Sequence, residues 1–194
     1  RRHTRFKCDW SSDVCSSDLL TTAVVNVTCH GLSDGTVNLT VSGGQTPFTY
    51  SWSNVSNTQN ITNVSANGYT VTVNDFAGCS STASAIVTEP TLLSITATQV
   101  NVSCNGGSNG SINTNVSGGT SAYSYLWNDG ATNPNRTNLS AGNYSVTVTD
   151  NNSCTASVSA TLTEPTLLSI AATQVNVSCN GGDRKSTRLN SSHT

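Results

Sequence analysis

The chain has 194 residues, of which 35% are hydrophobic and only 9% are charged, and its formal net charge is −2. A chain this poor in apolar and charged residues is either disordered or a β protein built from small residues, and regularly spaced Val, Ile, Tyr and Trp favour the second. Between residues 20 and 182 the only base is Arg136. This composition excludes an electrostatic surface for nucleic acid, and no stretch has the length and apolarity of a membrane span.

One stretch of the chain occurs twice. Residues 88–107, TEPTLLSITATQVNVSCNGG, return 75 residues later at 163–182 with Ala171 in place of Thr96, and residues 22–89 align without a gap on 97–164. Such self-similarity is typical of a tandem array. We therefore predict repeat 1 at residues 20–90, repeat 2 at 91–165 and the truncated first strand of repeat 3 at 166–182. Pro90 cannot continue a central strand, so the linker is short and the array semi-rigid.

The two ends differ from this body, because they hold seven of the eight Lys and Arg residues. Residues 183–193, DRKSTRLNSSH, are the translation of DNA that resembles a widely used sequencing adaptor. Residues 9–18, DWSSDVCSSD, are the translation of its reverse complement in another frame. We expect residues 1–19 and 183–194 to be adaptor-derived and unstructured, and exclude them from reasoning about the fold. The alternative is a pair of natural polar tails.

Apolar residues within a repeat recur with a period of two, which indicates β-strands, and no segment shows helical periodicity or helix caps. In the second copy the predicted strands span 95–102, 110–116, 123–127, 136–139, 144–150 and 154–162. We predict an all-β fold of tandem small antiparallel Ig-like β-sandwiches, about six strands each, with essentially no helix.

The alternation also predicts which side chains fill the core of each sandwich. They are Tyr50, Trp52, Tyr69, Val71 and Val73 in the first copy, and Tyr125, Trp127, Tyr144, Val146 and Val148 in the second. An alternative for the aromatic residues is a sugar-stacking platform formed by Phe48, Tyr50 and Trp52, and by Tyr123, Tyr125 and Trp127. Because these residues share one strand face, the core interpretation is the simpler one.

Four cysteines occupy equivalent places, Cys29 and Cys79 in one copy and Cys104 and Cys154 in the other. The long spacing excludes a CxxC zinc site, and we predict one disulfide within each repeat. Six strands running alternately up and down place the loop after the first strand and the loop before the sixth at the same end. Such a bond would stabilise a unit by about 4 kcal/mol. Buried free thiols are the alternative, and Cys179 is predicted to be an unpaired thiol.

Catalytic and metal-binding residues are few. His30 is the only histidine of the body and its counterpart is Asn105, so we predict a surface residue and no enzyme activity. The carboxylates Asp34, Asp75 and Asp150 fit caps of Asx turns. A weak calcium site is the alternative, since Asp34 and Asp75 are expected at the same end of the unit. No other cofactor or metal is predicted.

Residues 116–154 carry the pattern SGG, Y-x-W, L-x-AG-x-Y-x-V-x-V-x-D and Cys, and the first copy carries VSGGQTPFTYSW and NGYTVTVNDFAGC, with Asn67-Gly68 in place of Gly142-Asn143. This pattern resembles the SprB repeat of large surface adhesins from gliding Bacteroidota. The motif contains no catalytic or ligand residue.

The resemblance implies a non-catalytic structural and adhesive segment of a large secreted or cell-surface bacterial protein, with roles in adhesion and gliding motility. We expect the export signal and anchor to lie outside this stretch. The expected partners are neighbouring repeats of the same chain, surface glycans or other cell-surface proteins. The alternative function is a carbohydrate-binding accessory module of an exported polysaccharide-degrading enzyme.

Overall fold

The computed structural model describes residues 19–175, and this part of the chain contains strands and no helix. It therefore contains no helix that could cross a membrane. The all-β prediction is confirmed, and the strands of the second copy lie within a few residues of the predicted ranges. Leu19, expected to belong to the unstructured end, is the first residue of β1. The strands are β1 (Leu19–Val25), β2 (Gly35–Ser42), β3 (Thr49–Trp52), β4 (Ile61–Val64), β5 (Asn67–Asn74), β6 (Ser80–Val87), β7 (Ser94–Val100), β8 (Gly110–Ser117), β9 (Ser124–Trp127), β10 (Arg136–Leu139), β11 (Gly142–Thr149) and β12 (Thr155–Leu162).

Each set of six strands forms two three-stranded sheets that enclose one core. In the first unit the sheets are β1-β2-β4 and β3-β5-β6, and in the second they are β7-β8-β10 and β9-β11-β12. Every strand pair within these sheets is antiparallel. Because one face of each sheet packs on the other, the sequence alternates between buried and exposed residues, as the period of two requires.

The predicted core residues lie on the inner faces of the sheets. Trp52 and Trp127 are only 3% and 2% exposed, and their indole N–H groups donate to the carbonyls of Thr58 and Asn133. The other buried members are Tyr69, Val71, Val73, Val146 and Val148, while Tyr50, Tyr125 and Tyr144 are partly buried against the same cores.

Two tyrosines close the turns that precede the long strands β5 and β11. The Tyr69 hydroxyl donates to the carbonyl of Ser65 at 2.9 Å, and the Tyr144 hydroxyl donates to that of Ser140 at 3.1 Å. A ring packed against the core, with its hydroxyl bonded to the backbone a few residues upstream, is the arrangement that immunoglobulin-like sandwiches use at this position.

The short strands β3 and β4 together make one pass along the sandwich. β3 begins where Thr49 pairs with Asn74, ends halfway at Trp52 opposite Val71, and the chain then crosses to the other sheet as β4. The first unit therefore makes five passes rather than six. β1 and β6 consequently run in the same direction, and the Val27 N–H donates to the Thr88 carbonyl just beyond their ends.

This topology defines two ends of each unit. We call the end reached by β1 and β6 the linker end, because the chain leaves the unit there, and the opposite end, with the β5–β6 turn, the far end. Cys29 follows β1 at the linker end, whereas Cys79 precedes β6 at the far end. The expectation that both cysteines share one end is therefore wrong, because it counted β3 and β4 as two passes.

Residues 163–175, which follow β12, form no strand. Their apolar side chains are largely exposed, with Leu167 at 74% and Leu168 at 86%. The predicted first strand of repeat 3 is thus not formed in the described part of residues 166–182. Residues 176–182, with Cys179, and the two ends attributed to adaptor up to residue 18 and from residue 183 lie outside the described residues.

Candidate functional site at the junction of the repeats

The linker end of the first unit presents a cysteine in a tight turn. The Leu32 N–H donates to the Cys29 carbonyl at 3.2 Å, and the Gly31 N–H donates to Oε2 of Glu89 at 2.6 Å. The other carboxylate oxygen of Glu89 lies 3.2 Å from Nδ1 of His30. Glu89, the last residue before Pro90, therefore fixes the turn that carries Cys29 next to the exit of the chain.

Asp34 fixes the backbone on the other side of Cys29. Its carboxylate accepts hydrogen bonds from the hydroxyl and the N–H of Thr28. The hydroxyl hydrogen bond is the main cause that lowers the pKa of Asp34 below its ordinary value, and the N–H adds to it. The carbonyl of Thr28 is thereby held facing the second unit.

The far end of the second unit is organised by a buried carboxylate. Asp150 is 5% exposed, follows β11, and accepts hydrogen bonds from the N–H groups of Thr120, Asn152 and Cys154 at 2.8 to 2.9 Å. These bonds, that of Thr120 first, lower the pKa of Asp150. The carboxylate thus fixes the turn before Cys154 by the side-chain-to-backbone bonding of an Asx turn.

Asp75 has the same role at the far end of the first unit. It accepts from the N–H of Cys79 at 2.8 Å and of Gln45 at 3.1 Å, and its pKa is lowered, chiefly by the bond from Cys79. Asp34 lies at the opposite end of the unit, so the expected approach of Asp34 to Asp75 at a calcium site is wrong. Among residues 19–175, no three His, Cys, Asp or Glu side chains are grouped so that they could hold a metal ion.

A disulfide joins the two units. Cys29 is bonded to Cys154, with an S–S distance of 2.00 Å and 5.8 Å between the Cα atoms, across 125 residues of sequence. The predicted bonds within each repeat are therefore corrected. Cys104 is an exposed free thiol, and Cys79 is disulfide-bonded, although not to Cys29. The reason is topological, since the two cysteines of one repeat lie at opposite ends and those of successive repeats meet.

Further contacts surround this bond. The amide Nδ2 of Asn152 donates across the junction to the Thr28 carbonyl at 2.9 Å and, within the second unit, to Thr120 Oγ1 at 3.2 Å. A cleft beside the disulfide is lined by both bonded cysteines and by Leu32, Leu92 and Leu93. The junction therefore combines one covalent bond, one direct polar contact and apolar side chains.

The linker crosses the second unit over the Ser-Gly-Gly motif. The Gly119 N–H donates to the Thr91 carbonyl at 2.8 Å. Gly118 has a φ of +72°, and a Cβ added to it would lie 1.9 Å from the carbonyl oxygen of Leu92. Only glycine fits there. In the sequence this motif lies between the predicted strands 110–116 and 123–127, and its repetition in both copies was the signal for a closer role.

The aromatic residues proposed as a sugar platform lie in or against the core. Both Trp rings are buried, and Phe48 and Tyr123 pack against their cores from the edge. The Arg136 guanidinium lies 5.4 Å from the centre of the Trp127 ring and donates to both carboxylate oxygens of Asp129, at 2.8 and 2.7 Å. Hydrogen bonding to Arg136 lowers the pKa of Asp129 to about 2.

Several solved structures resemble the chain at low identity. A Dscam structure concerned with isoform specificity is 13% identical, with a TM-score of 0.34 over 78% of this chain and 47% of that one. The four N-terminal Ig domains of Dscam1 isoform 9.44 are 12% identical, with a TM-score of 0.31 over 75% and 41%. An amphioxus IgVJ-C2 molecule is 13% identical, with a TM-score of 0.32 over 74% and 96%.

The chain spans less than half the length of these two Dscam structures. Such TM-scores carry no argument of their own, so the Ig-like assignment depends on the strands and sheets described above. No curated protein matches the sequence.

A scan against family models gives a match in each unit. The SprB repeat model matches residues 21–57 and again residues 96–132, at the same spacing as the repeat in the sequence. The matched segments run from the first strand of each unit past the Ser-Gly-Gly motif and the core Trp. Each of the two β-sandwich units therefore contains one segment that is similar to the SprB repeat.

Proposed function

We propose that the chain is a non-catalytic structural and adhesive segment of a large secreted or cell-surface bacterial protein that acts in adhesion and gliding motility. The observation that carries the proposal is the Cys29–Cys154 bond, which joins successive SprB repeats covalently. The proposed unit boundaries are residues 20–90 and 91–165, with a third unit beginning at residue 166. A disulfide also fits an exported protein, because such bonds persist in oxidising compartments.

The bond changes how the two units would carry a load. When the chain is pulled at its ends, tension passes through the sulfur atoms and bypasses the stretch between them, a sequence separation of 125 residues. Fully extended, that stretch would span about 450 Å at roughly 3.6 Å per residue. Among the strands of residues 19–175, only β1 and β12 lie outside the closed loop and can be peeled away. The segment therefore keeps its length under force, as a stalk must.

Adhesion in such an array comes from repetition. Each unit exposes many Ser, Thr and Asn side chains, and weak contacts made by several linked units add through their effective concentration. Surface glycans and other cell-surface proteins are the partners that fit these polar contacts. The carbohydrate-binding accessory module is not favoured, because Trp52 and Trp127 are buried and cannot stack on a sugar.

Pulling single molecules of the chain by its ends tests the structural role. We expect unfolding of the oxidised chain to release about 450 Å less length than unfolding of the chain kept in reductant, since the bond locks residues 29–154. Cys104→Ser is the matched control and keeps the full difference, whereas Cys29→Ser loses the part that the Cys29–Cys154 bond contributes. Equal released lengths with and without reductant would contradict the structural role.

The adhesive role needs its own measurement. Beads coated with the chain are held against immobilised polysaccharides and against bacterial cells, and the force needed to detach them is recorded at several coating densities. Multivalent contact predicts a detachment force that rises more steeply than the density. Retention no higher than that of beads coated with an inert protein of similar net charge would refute adhesion and leave the structural role standing.

A further inference from the structure

The linker end of the second unit repeats the junction site of the first, hydrogen bond by hydrogen bond. The Gly106 N–H donates to Oε2 of Glu164 at 2.8 Å, as Gly31 does to Glu89 at 2.6 Å. The Gly107 N–H donates to the Cys104 carbonyl at 3.0 Å, in the way that Leu32 bonds Cys29.

Two more contacts are preserved beside this turn. The Val102 N–H donates to Thr163 at 3.0 Å, matching Val27 and Thr88. The Ser103 N–H donates to Asn109 Oδ1 at 3.0 Å, where Thr28 uses Asp34. The second unit thus presents Cys104 on the same backbone scaffold that presents Cys29.

The main difference between the two sites is what covers them. Cys29 is half-buried and bonded to Cys154 of the next unit, whereas Cys104 is an exposed free thiol. The apolar residues after the linker differ in the same way, since Leu93 is 7% exposed and its counterpart Leu168 is 86% exposed. The backbone turn that presents Cys104 is formed, but among the described residues no far end of another unit contacts it.

We propose that this linker end is a docking surface for the far end of another repeat, whose turn cysteine forms a disulfide with Cys104. The occupant is a further repeat, because residues 163–182 restate the linker and first-strand sequence that seats the second unit on the first. Its far end carries the Asp-x-x-x-Cys turn seen at 150–154 and 75–79. Each unit is thereby bonded to the next, and the array forms a ladder of disulfides between units.

Formation of the bond balances as thiol–disulfide exchange. The Cys104 thiolate attacks a disulfide oxidant, either a small-molecule disulfide or the disulfide of an oxidoreductase, and releases one thiol of the oxidant. The turn cysteine of the docked repeat then displaces the second thiol. Two protein thiols become one disulfide, and the oxidant takes up the two electrons and two protons. This inference does not require the array to be adhesive.

The test uses the full chain extended by one unit, with residues 91–165 copied once after Pro165 and residues 166–194 following. Cys179 and the copied position of Cys104 are replaced by serine. Apart from Cys29, which is bonded to a cysteine of the Cys154 type, Cys104 is then the remaining linker-end cysteine of the repeats. After folding with a glutathione redox couple, free thiols are alkylated and the disulfide-linked peptides are identified by mass spectrometry. The matched control also has serine at the copied position of Cys154.

We expect Cys104 to be linked to a peptide of the Cys154 type, while Cys29 stays linked to another copy of it. Alkylation of Cys104 falls by at least about tenfold relative to the 194-residue chain, because a sulfur in a disulfide has no thiolate form. In the control, Cys104 is alkylated as fully as in the unextended chain. Alkylated Cys104 in the extended chain, with the Cys29–Cys154 bond present in the same digest, overturns the proposal.

A second extended chain provides an independent test in case the first added unit does not fold. It carries residues 19–90 after Leu168, with serine at the copied position of Cys29, so that the copied Cys79 supplies the bond. The gain of strand signal in circular dichroism reports folding of the added unit. If neither added unit folds on this surface, or if both fold and Cys104 remains alkylated, the linker end does not seat a repeat and the proposal fails.

Discussion

Replacing Cys29 with serine removes the bond between the units and should lower stability strongly. The bond closes a loop of 125 residues, for which the loss of chain entropy in the unfolded state amounts to about 5 kcal/mol at 25 °C. Cys104→Ser is the matched control, because Cys104 is an exposed thiol with no disulfide to lose. The free energy of unfolding of the Cys104→Ser variant should differ from that of the unsubstituted chain by less than about 0.5 kcal/mol.

Urea unfolding followed by circular dichroism measures both variants beside the unsubstituted chain, without reductant and with it. We expect Cys29→Ser to unfold at much lower urea without reductant, and the difference to disappear in reductant, where the unsubstituted chain has lost the same bond. If Cys104→Ser were destabilised as much as Cys29→Ser, the cysteines would be paired within each repeat and the reasoning would be refuted.

Three further substitutions test single contacts. Gly118→Ala should lower the free energy of unfolding by at least about 2 kcal/mol, because it adds left-handed backbone strain and a Cβ 1.9 Å from the Leu92 carbonyl oxygen. Gly130→Ala adds a Cβ with nothing within 4 Å and should lower it by about 1 kcal/mol. Urea unfolding of the two variants measures this difference. Val55 is 95% exposed with a φ of 63° and stands where the second unit has Gly130. Val55→Gly should therefore raise the free energy of unfolding by about 0.5 to 1 kcal/mol, and a decrease would contradict the assigned turn. The pKa of Asp129 is lowered in the folded state from 3.8 to about 2, so the stability that the carboxylate contributes is present above pH 3.8 and is lost as the pH falls towards 2. Asp129→Asn should therefore make the free energy of unfolding less dependent on pH between these values. An unchanged pH dependence would count against the pairing with Arg136.

Local patterns in the sequence were sufficient to predict the strands and the class of fold. The alternation that contains Tyr144, Val146 and Val148 predicted β11, because side chains of a half-buried strand must point alternately inward and outward. The Ser-Gly-Gly stretch at 117–119 and the Asn-Asn-Ser stretch at 151–153 lie between predicted strands, where turn residues are expected. The two Trp residues are buried because they lie on the face of their strand that meets the opposite sheet, whereas Leu126, on the other face beside Trp127, is 60% exposed.

The pairing of the cysteines depended on topology, which the local pattern does not encode. Alternation indicates where a strand lies but not whether two successive strands form two passes or one. The signal was strand length, since β3 and β4 have four residues each while β2 has eight. Two half-length strands on either side of a crossing make one pass, and that change moves Cys79 to the end opposite Cys29.

The role of the Ser-Gly-Gly motif could not be predicted for a related reason. A glycine pair is typical of a turn, and nothing in residues 117–119 indicates that the linker, about 26 residues earlier, crosses directly over them. The contact between Gly118 and Leu92 is set by the way the second unit begins. It therefore becomes visible only when the linker and the sheet are placed together.

Cleavage on the amino side of aspartate, under denaturing and non-reducing conditions, tests the bond between the units most directly. It places Cys29 in the peptide 18–33, Cys79 and Cys104 in the peptide 75–128, and Cys154 in the peptide 150–182. After alkylation of free thiols, we predict that the peptides with Cys29 and Cys154 remain covalently linked, that reduction separates them, and that Cys104 carries the alkyl group. A Cys29 peptide linked instead to the peptide with Cys79 would contradict a bond between the units.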